Sequence, residues 1–111
     1  MQDLMAELRM QMRLLDAALK EFKERGKHRA ECERAYRVAK AEFVTRQRAE
    51  GVPVSIVADL AKGDRDIAML CMKRDIADTL YDSSREAINV FKLKIRTIND
   101  QIEREWGNRG E

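Results

Sequence analysis

One short segment of the chain contains side chains that commonly bind metal ions. His28 and Cys32 are four residues apart, with Glu31 between them, so a helix would place the imidazole and the thiol on one face. A structural zinc site needs four ligands, and the chain has only one histidine and two cysteines, Cys32 and Cys71. We therefore expect no bound metal or other cofactor, and we interpret both cysteines as small, buried apolar side chains.

Residue types that could support catalysis are equally sparse. Residues 81–84, Tyr-Asp-Ser-Ser, offer hydroxyl groups and a carboxylate, but the chain lacks a second histidine and a nucleophile elbow. Gly51 and Gly63 are too far apart to form a phosphate-binding loop. We therefore predict a protein that is not an enzyme and has no catalytic residues.

A row of basic residues is the most distinctive charged feature of the first half. Its members follow alternating steps of four and three, interrupted by Asp16 and Ala30. The row consists of Arg9, Arg13, Lys20, Lys23, Lys27, Arg34 and Arg37. It could track the phosphates of a nucleic acid, or it could be a solvated flank whose charges pair across a hairpin or with a second copy. Because the row lacks aromatic residues for base stacking and the net charge is only +2, we favour the flank and do not favour nucleic acid as the partner.

The elements that carry these residues are predicted to be long helices. Charged residues make up 38% of the 111-residue chain, which has five glycines and one proline, a composition typical of helices rather than sheets. An apolar seam with steps of four and three predicts a helix over about residues 2–50, with the basic row one position after the seam. The seam consists of Met1, Met5, Leu8, Met12, Leu15, Leu19, Phe22 and Gly26.

The stretch EGVPVSIVADLAKGD, residues 50–64, interrupts the helical pattern. Gly51 suits a helix C-cap, and Pro53 prevents the helix from continuing. We interpret the stretch as the turn of a helical hairpin. A DNA-binding helix-turn-helix is not expected, because the residues that would open its recognition helix, DRDIAMLCM, are acidic and then apolar.

The same stretch is predicted to contain a short helix of its own. Ser55 is the expected N-cap of a helix over about residues 55–62, which ends at Gly63. Asp64 is expected to cap the long helix that follows.

That second long helix is predicted over about residues 64–106, with a frayed tail at residues 107–111. Its apolar seam is clearest in the later part of the helix. This late seam consists of Ile88, Phe91, Ile95, Ile98 and Ile102.

Folding the chain back at the turn brings the two seams into antiparallel register. Gly26 then lies opposite Ile88, and Arg29 falls near Ser84 and Arg85. This agreement between two separate patterns predicts a long antiparallel hairpin that resembles a coiled coil.

The predicted fold is therefore a single all-α domain over residues 1–106. Two helices cannot cover a second apolar row on the second helix, so we expect a homo-oligomer, a dimer by preference, in which hairpins pair into a four-helix bundle. The residues predicted to form this oligomer interface are Met69, Ile76, Leu80, Ala87 and Val90.

Three segments of the chain resemble small, mostly uncharacterised proteins encoded by bacteriophages and prophages. These are RGKHRAECERAYRVA, RAEGVPVSIVADLAKGD and AINVFKLKIRTINDQIEREW. The resemblance implies an accessory protein inside the bacterial cell, and it supplies no catalytic residue. The start of the chain lacks a signal-peptide cleavage site and no apolar run is long enough to span a membrane, so we expect a cytoplasmic protein.

Two functions follow as hypotheses. The first is a non-enzymatic protein that self-associates and binds a host or phage protein, for example to inhibit a host nuclease or defence factor. The alternative is a nucleic-acid-binding accessory of phage replication or recombination that uses the basic row.

Overall fold

The computed structural model describes residues 2–109, and the side chains of residues 2–107, as three helices with short connections. Helix α1 spans Gln2–Ala49, α2 spans Val54–Gly63 and α3 spans Arg65–Arg109. No strand occurs in the part of the chain that the structure describes. The all-α prediction is therefore confirmed, and each of the three predicted helices is present.

The end of α3 differs from the prediction. The helix continues through Arg109, so residues 107–109 are helical rather than a frayed tail, and residues 110–111 lie outside the described residues. A glycine inside a helix costs only about 1 kcal/mol relative to alanine, so Gly107 alone does not end α3.

The C-terminus of α1 is closed by a Schellman motif at Gly51. The backbone N–H of Gly51 donates to the carbonyl of Arg48, and the N–H of Val52 donates to the carbonyl of Gln47. Gly51 has a φ of 90°, a left-handed conformation that glycine adopts without a steric penalty. The predicted C-cap is therefore confirmed.

The start of α3 is capped as predicted, but the start of α2 is not. The carboxylate of Asp64 accepts hydrogen bonds from the backbone N–H groups of Asp66 and Ile67, both at 3.1 Å. Ser55 was expected to cap α2, but it lies inside that helix. Pro53 occupies the N-cap position instead, with a φ of −60° and no side-chain hydrogen bond. The proline ring fixes φ near the value that this position requires, so the helix begins here without a capping side chain.

The contacts between residues group the chain into two compact units. Residues Arg25–Tyr81 form one unit, called the central unit here. Met1–Glu24 and Asp82–Glu111 form the other, called the terminal unit.

The core of the central unit lies where all three helices meet. Phe43 of α1, Ala61 of α2 and Ile67 of α3 form a buried cluster, and Tyr36 packs against it. Further contacts between α1 and α3 in this unit run antiparallel, because residues later in α1 meet residues earlier in α3. The helical hairpin is therefore confirmed.

The register of α1 against α3 in the central unit is not the predicted one. The guanidinium of Arg29 donates to Asp78 at 2.8 Å and lies 4.7 Å from the centroid of the Tyr81 ring. The seams place Arg29 near Ser84 and Arg85 instead, further along α3. A heptad seam repeats every seven residues, so a slide of one heptad still places apolar residues opposite one another, and the apolar pattern could not choose the register.

In the terminal unit, α1 exposes part of its predicted seam. Met5, Met12 and Leu19 were expected to face the interior, but all three are exposed, Met12 by 52%. Gln11 and Ala18, one position before Met12 and Leu19, are buried and half-buried instead. The prediction was wrong because a second seam, through Gln11 and Ala18, shares every second residue with the predicted one. The predicted seam, through Met12 and Leu19, is the more apolar of the two, and the pattern therefore favoured it.

The part of α3 in the terminal unit follows its predicted seam. Ile88 and Ile98 are buried. The remaining predicted members, Phe91, Ile95 and Ile102, are half-buried.

None of the helices within residues 2–109 combines the length and the apolarity that crossing a lipid bilayer requires.

Candidate protein-binding surface

An apolar groove of about 810 Å³ opens on the surface of the central unit. All three helices contribute to it. Its lining consists of Tyr36, Lys40, Ala61, Lys62, Ile67, Ala68, Cys71, Met72, Arg74, Asp75, Ile76, Thr79 and Leu80. This set of residues is called the apolar groove below.

The exposed apolar side chains of the groove come from one face of α3. Met72, Ile76 and Leu80 are spaced four residues apart, which stacks them along one side of a helix. All three are exposed, Ile76 by 51%. The same helix packs inwards through Ile67 and Ala77, which are buried. The helix is therefore held by one apolar face while it presents a second one to solvent.

Arg74 forms a fixed wall of the groove. Its guanidinium lies 4.4 Å from the centroid of the Tyr36 ring and within 3.7 Å of the Glu33 carboxylate. It also donates to Asp75 at 3.1 Å and to the sulfur of Cys71 at 3.5 Å. The hydrogen bond with Asp75, aided by the nearby negative charges, raises the pKa of Arg74 above its ordinary value, so the wall stays charged.

Two lysines add positive charge to the groove lining. The Lys40 ammonium lies 5.8 Å from the centroid of the Tyr36 ring, and Lys62 is exposed in the last turn of α2. Neither lysine forms an ion pair with another of the described residues. The groove therefore combines an apolar surface with cations that are available to a negatively charged partner.

The residues predicted to form an oligomer interface fall into both units. Ile76 and Leu80 line the apolar groove, whereas Met69 is exposed in the same unit without lining it. In the terminal unit, Val90 is exposed and Ala87 is half-buried. The structure thus brings two of the five together in one surface feature.

The sequence reasoning missed Met72, and also Tyr36 and Lys40, which α1 contributes to the groove. The spacing of Met72 to Ile76 and Leu80 could have identified the methionine, because it repeats a helical turn. Nothing in the sequence pattern indicates that α1 residues would line the same groove.

All seven residues of the predicted basic row are exposed. Arg37 pairs with Glu33 of its own helix at 2.7 Å. Among the described residues, the other members form no ion pair. These are Arg9, Arg13, Lys20 and Lys23 in the terminal unit, with Lys27 and Arg34 in the central unit. Within residues 2–107, pairing across the hairpin, which was one interpretation of the row, is not seen for these six.

A second groove, of about 560 Å³, lies in the central unit and is polar. Its three arginines are Arg29, Arg37 and Arg74. Arg29 is bound to Asp78, and Glu33 accepts from Arg37 and pairs with Arg74. Each guanidinium is already held by a carboxylate, which weakens its attraction for a further anion.

The side chains considered for metal binding form a pair only. The sulfur of Cys32 lies 3.6 Å from Nε2 of His28. No group of three or more His, Cys, Asp or Glu side chains within the described part of the chain is arranged to hold a metal ion.

Comparison with protein-family models, with curated proteins and with solved structures finds no match to this chain.

Proposed function

We propose that this protein is a binding protein that self-associates through the apolar groove of its central unit. The main support for this proposal is the exposed row of Met72, Ile76 and Leu80 in a groove of about 810 Å³. Contiguous exposed apolar surface of this kind is typical of protein-protein interaction sites. A groove along a helix is also a common site for the apolar face of a partner helix.

The small core of the chain supports self-association. Among the described residues, seven hydrophobic side chains are buried, whereas many large ones remain exposed. A second copy would remove part of this apolar surface from water, which stabilises an assembly by roughly 25 cal/mol per Å² before the costs of association. The assembly that we propose is a homodimer in which two hairpins form a four-helix bundle.

Sedimentation of the purified chain tests self-association. Wild type should be dimeric at micromolar concentration, and Ile76→Glu should dissociate, because it places a charge in an apolar interface. That change should cost at least about 2 kcal/mol, or roughly a 30-fold weaker dimer. Val54→Glu is the matched control, because Val54 is an exposed residue of the same unit that does not line the groove. A wild-type monomer, or equal effects of both variants, would contradict the proposal.

We further propose that the protein acts on a host or phage protein in the bacterial cytoplasm, as an accessory protein without enzymatic activity. The resemblance to phage-encoded proteins supports this part, together with the exposed apolar surface. Affinity capture from phage-infected cells after nuclease treatment tests it. A specific partner should be lost with Ile76→Glu and retained with Val54→Glu, and a partner captured equally by both variants would count against it.

A second candidate function is nucleic-acid binding, and one observation favours it. Six of the seven residues in the basic row are exposed and form no ion pair with another described residue, so their charges remain available to phosphates. Replacing five of the seven residues with glutamine would test the idea. The chosen positions are Lys20, Lys23, Lys27, Arg34 and Arg37.

Fluorescence anisotropy with duplex and single-stranded DNA should show whether this row binds phosphates. For each phosphate that the variant no longer neutralises on duplex DNA, the slope of log K against log salt should become shallower by roughly 0.9. The matched control neutralises five exposed basic residues of α3 instead: Lys73, Lys92, Lys94, Arg96 and Arg104. Submicromolar binding at physiological salt that disappears only with the α1 variant would establish nucleic acid as a partner.

A further inference from the structure

The terminal unit presents a second exposed stripe, on α1, whose chemistry complements the apolar groove. Its centre consists of Met10, Leu14 and Ala17, all exposed and spaced four and three residues apart. The same spacing continues outwards through acidic residues on both sides of this centre. These residues are Asp3, Glu7, Glu21 and Glu24. The seven residues together are called the α1 outer stripe.

The stripe and the groove agree in length. From Glu7 to Glu21 the stripe extends roughly 21 Å, at about 1.5 Å per helical residue. The α3 part of the groove lining extends from Ile67 to Leu80, roughly 20 Å on the same basis. The apolar centre of the stripe would therefore fit within the length of the groove, with an acidic residue near each end.

Charge complementarity points in the same direction. Of the basic residues that line the groove, Arg74 is already paired with Asp75 and Glu33, whereas Lys40 and Lys62 form no ion pair with another described residue. The α1 outer stripe contains four acidic residues and no basic one. Apolar surface would therefore meet apolar surface while the flanking charges attract, which favours one orientation and partner over others.

We propose that the apolar groove of one copy binds the α1 outer stripe of a second copy. This inference rests on the proposed self-association and specifies its contact. A dimer forms when this contact is made twice, with the groove of each copy binding the stripe of the other about a two-fold axis, so the interface as a whole is isologous.

Complementation between two defective variants tests this contact directly. Leu14→Glu damages the stripe, and Ile76→Glu damages the groove. Both residues are exposed, so both variants should remain as helical as wild type by circular dichroism. Each variant alone should self-associate at least about tenfold more weakly than wild type. When differently labelled samples are mixed, one of the two contacts joins an intact groove to an intact stripe, whereas both contacts are damaged when either variant pairs with itself. A contact already broken by one glutamate loses little more from a second, so the mixed pair should form at least about tenfold more tightly than either variant with itself.

Met12→Glu is the matched control on α1, because Met12 is exposed but lies outside the stripe. It should self-associate like wild type. Charge reversal gives an independent reading, since Lys40→Glu with Lys62→Glu should weaken self-association, and mixing with a Glu7→Lys variant should restore part of it.

The outcomes separate this inference from the proposed function. If Ile76→Glu dissociates while Leu14→Glu associates like wild type, the groove binds another part of the second copy, and the α1 outer stripe is the wrong occupant. If neither variant changes the association state, the proposed self-association through the groove is itself wrong. A monomeric wild type whose groove binds an acidic amphipathic helix of another protein would overturn both.

Discussion

A side chain added at Gly26 would test how α1 and α3 face each other in the central unit. Gly26 lies inside α1, and a methyl group there would lie 3.4 Å from Cε2 and 3.8 Å from Cδ2 of Tyr81, which is ordinary van der Waals contact. Glycine inside a helix is about 1 kcal/mol less favourable than alanine. Gly26→Ala should therefore raise the free energy of unfolding by about 1 kcal/mol, which corresponds to roughly 3–6 °C in Tm for a chain of this size.

A larger side chain at the same position should have the opposite effect. Leucine extends beyond the methyl position into the space of the Tyr81 ring, and overpacking of this kind costs about 1–3 kcal/mol. Gly26→Leu should therefore be less stable than Gly26→Ala. The matched control is Gly63, where an added Cβ meets no atom within 4 Å, so alanine and leucine there should differ little.

A double-mutant cycle identifies the residue that Gly26 faces. Urea unfolding followed by circular dichroism, at one protein concentration, would give the four free energies. Tyr81→Ala should remove most of the penalty of Gly26→Leu, with a coupling of about 0.5–3 kcal/mol. Equal stability of the leucine and alanine variants at Gly26, or rescue by Ile88→Ala instead of Tyr81→Ala, would refute the register and restore the one that the seams predict.

Three further substitutions test the caps and the cores. Asp64→Ala should cost about 1 kcal/mol in thermal unfolding, because two backbone N–H groups at the start of α3 lose their acceptor, whereas Ser55→Ala should leave the Tm unchanged within error. Gln11→Met should raise the free energy of unfolding by about 1 kcal/mol in urea titrations, since the buried Oε1 of Gln11 accepts no hydrogen bond from any described residue, and this gain exceeds the loss of the partly exposed hydrogen bond from its Nε2 to Glu7. A similar gain from Gln101→Met, at an exposed position, would contradict that reason. Phe43→Ala should cost about 3–5 kcal/mol, and a loss below 1 kcal/mol by calorimetry would show that the buried cluster in the central unit is not its core.

Local signals in the sequence predicted the helices and most of their ends. Gly51 and Asp64 act through hydrogen bonds with groups a few residues away, so their roles follow from residue type and spacing. Ser55 was the exception, because Pro53 already supplies the backbone conformation of the N-cap. The fixed backbone conformation of Pro53 therefore determined where α2 begins, and the weaker capping preference of Ser55, two residues later, did not.

The choice of buried face was harder to predict, because it depends on how one helix is rotated against the other. In α1, the seam through Met12 and the seam through Gln11 differ by one residue, and only the first is fully apolar. The structure buries Gln11 and exposes Met12. A count of apolar residues could not anticipate this, and the same limitation hid the α1 outer stripe, whose members lie outside either seam.

The groove was predictable only in part, for a related reason. Ile76 and Leu80 were recognised as surplus apolar residues on α3, which required only the pattern of one helix. Tyr36 and Lys40 enter the same surface from α1 through tertiary packing. Their contribution depends on the register, which the heptad repeat left open.

Charge resolves the ambiguity of register that the apolar seams leave. In the observed register Arg29 meets Asp78, and Glu33 lies near Arg74, so both pairs are attractive. Displaced by one heptad, Arg29 would lie near Arg85, a pair of like charges. Each exposed ion pair contributes only about 0.2–1 kcal/mol, which is small against the burial of a core. Two registers that bury equivalent apolar rows differ little, however, in the free energy of burying the core. A few attractive or repulsive charge pairs are therefore enough to select between the two registers.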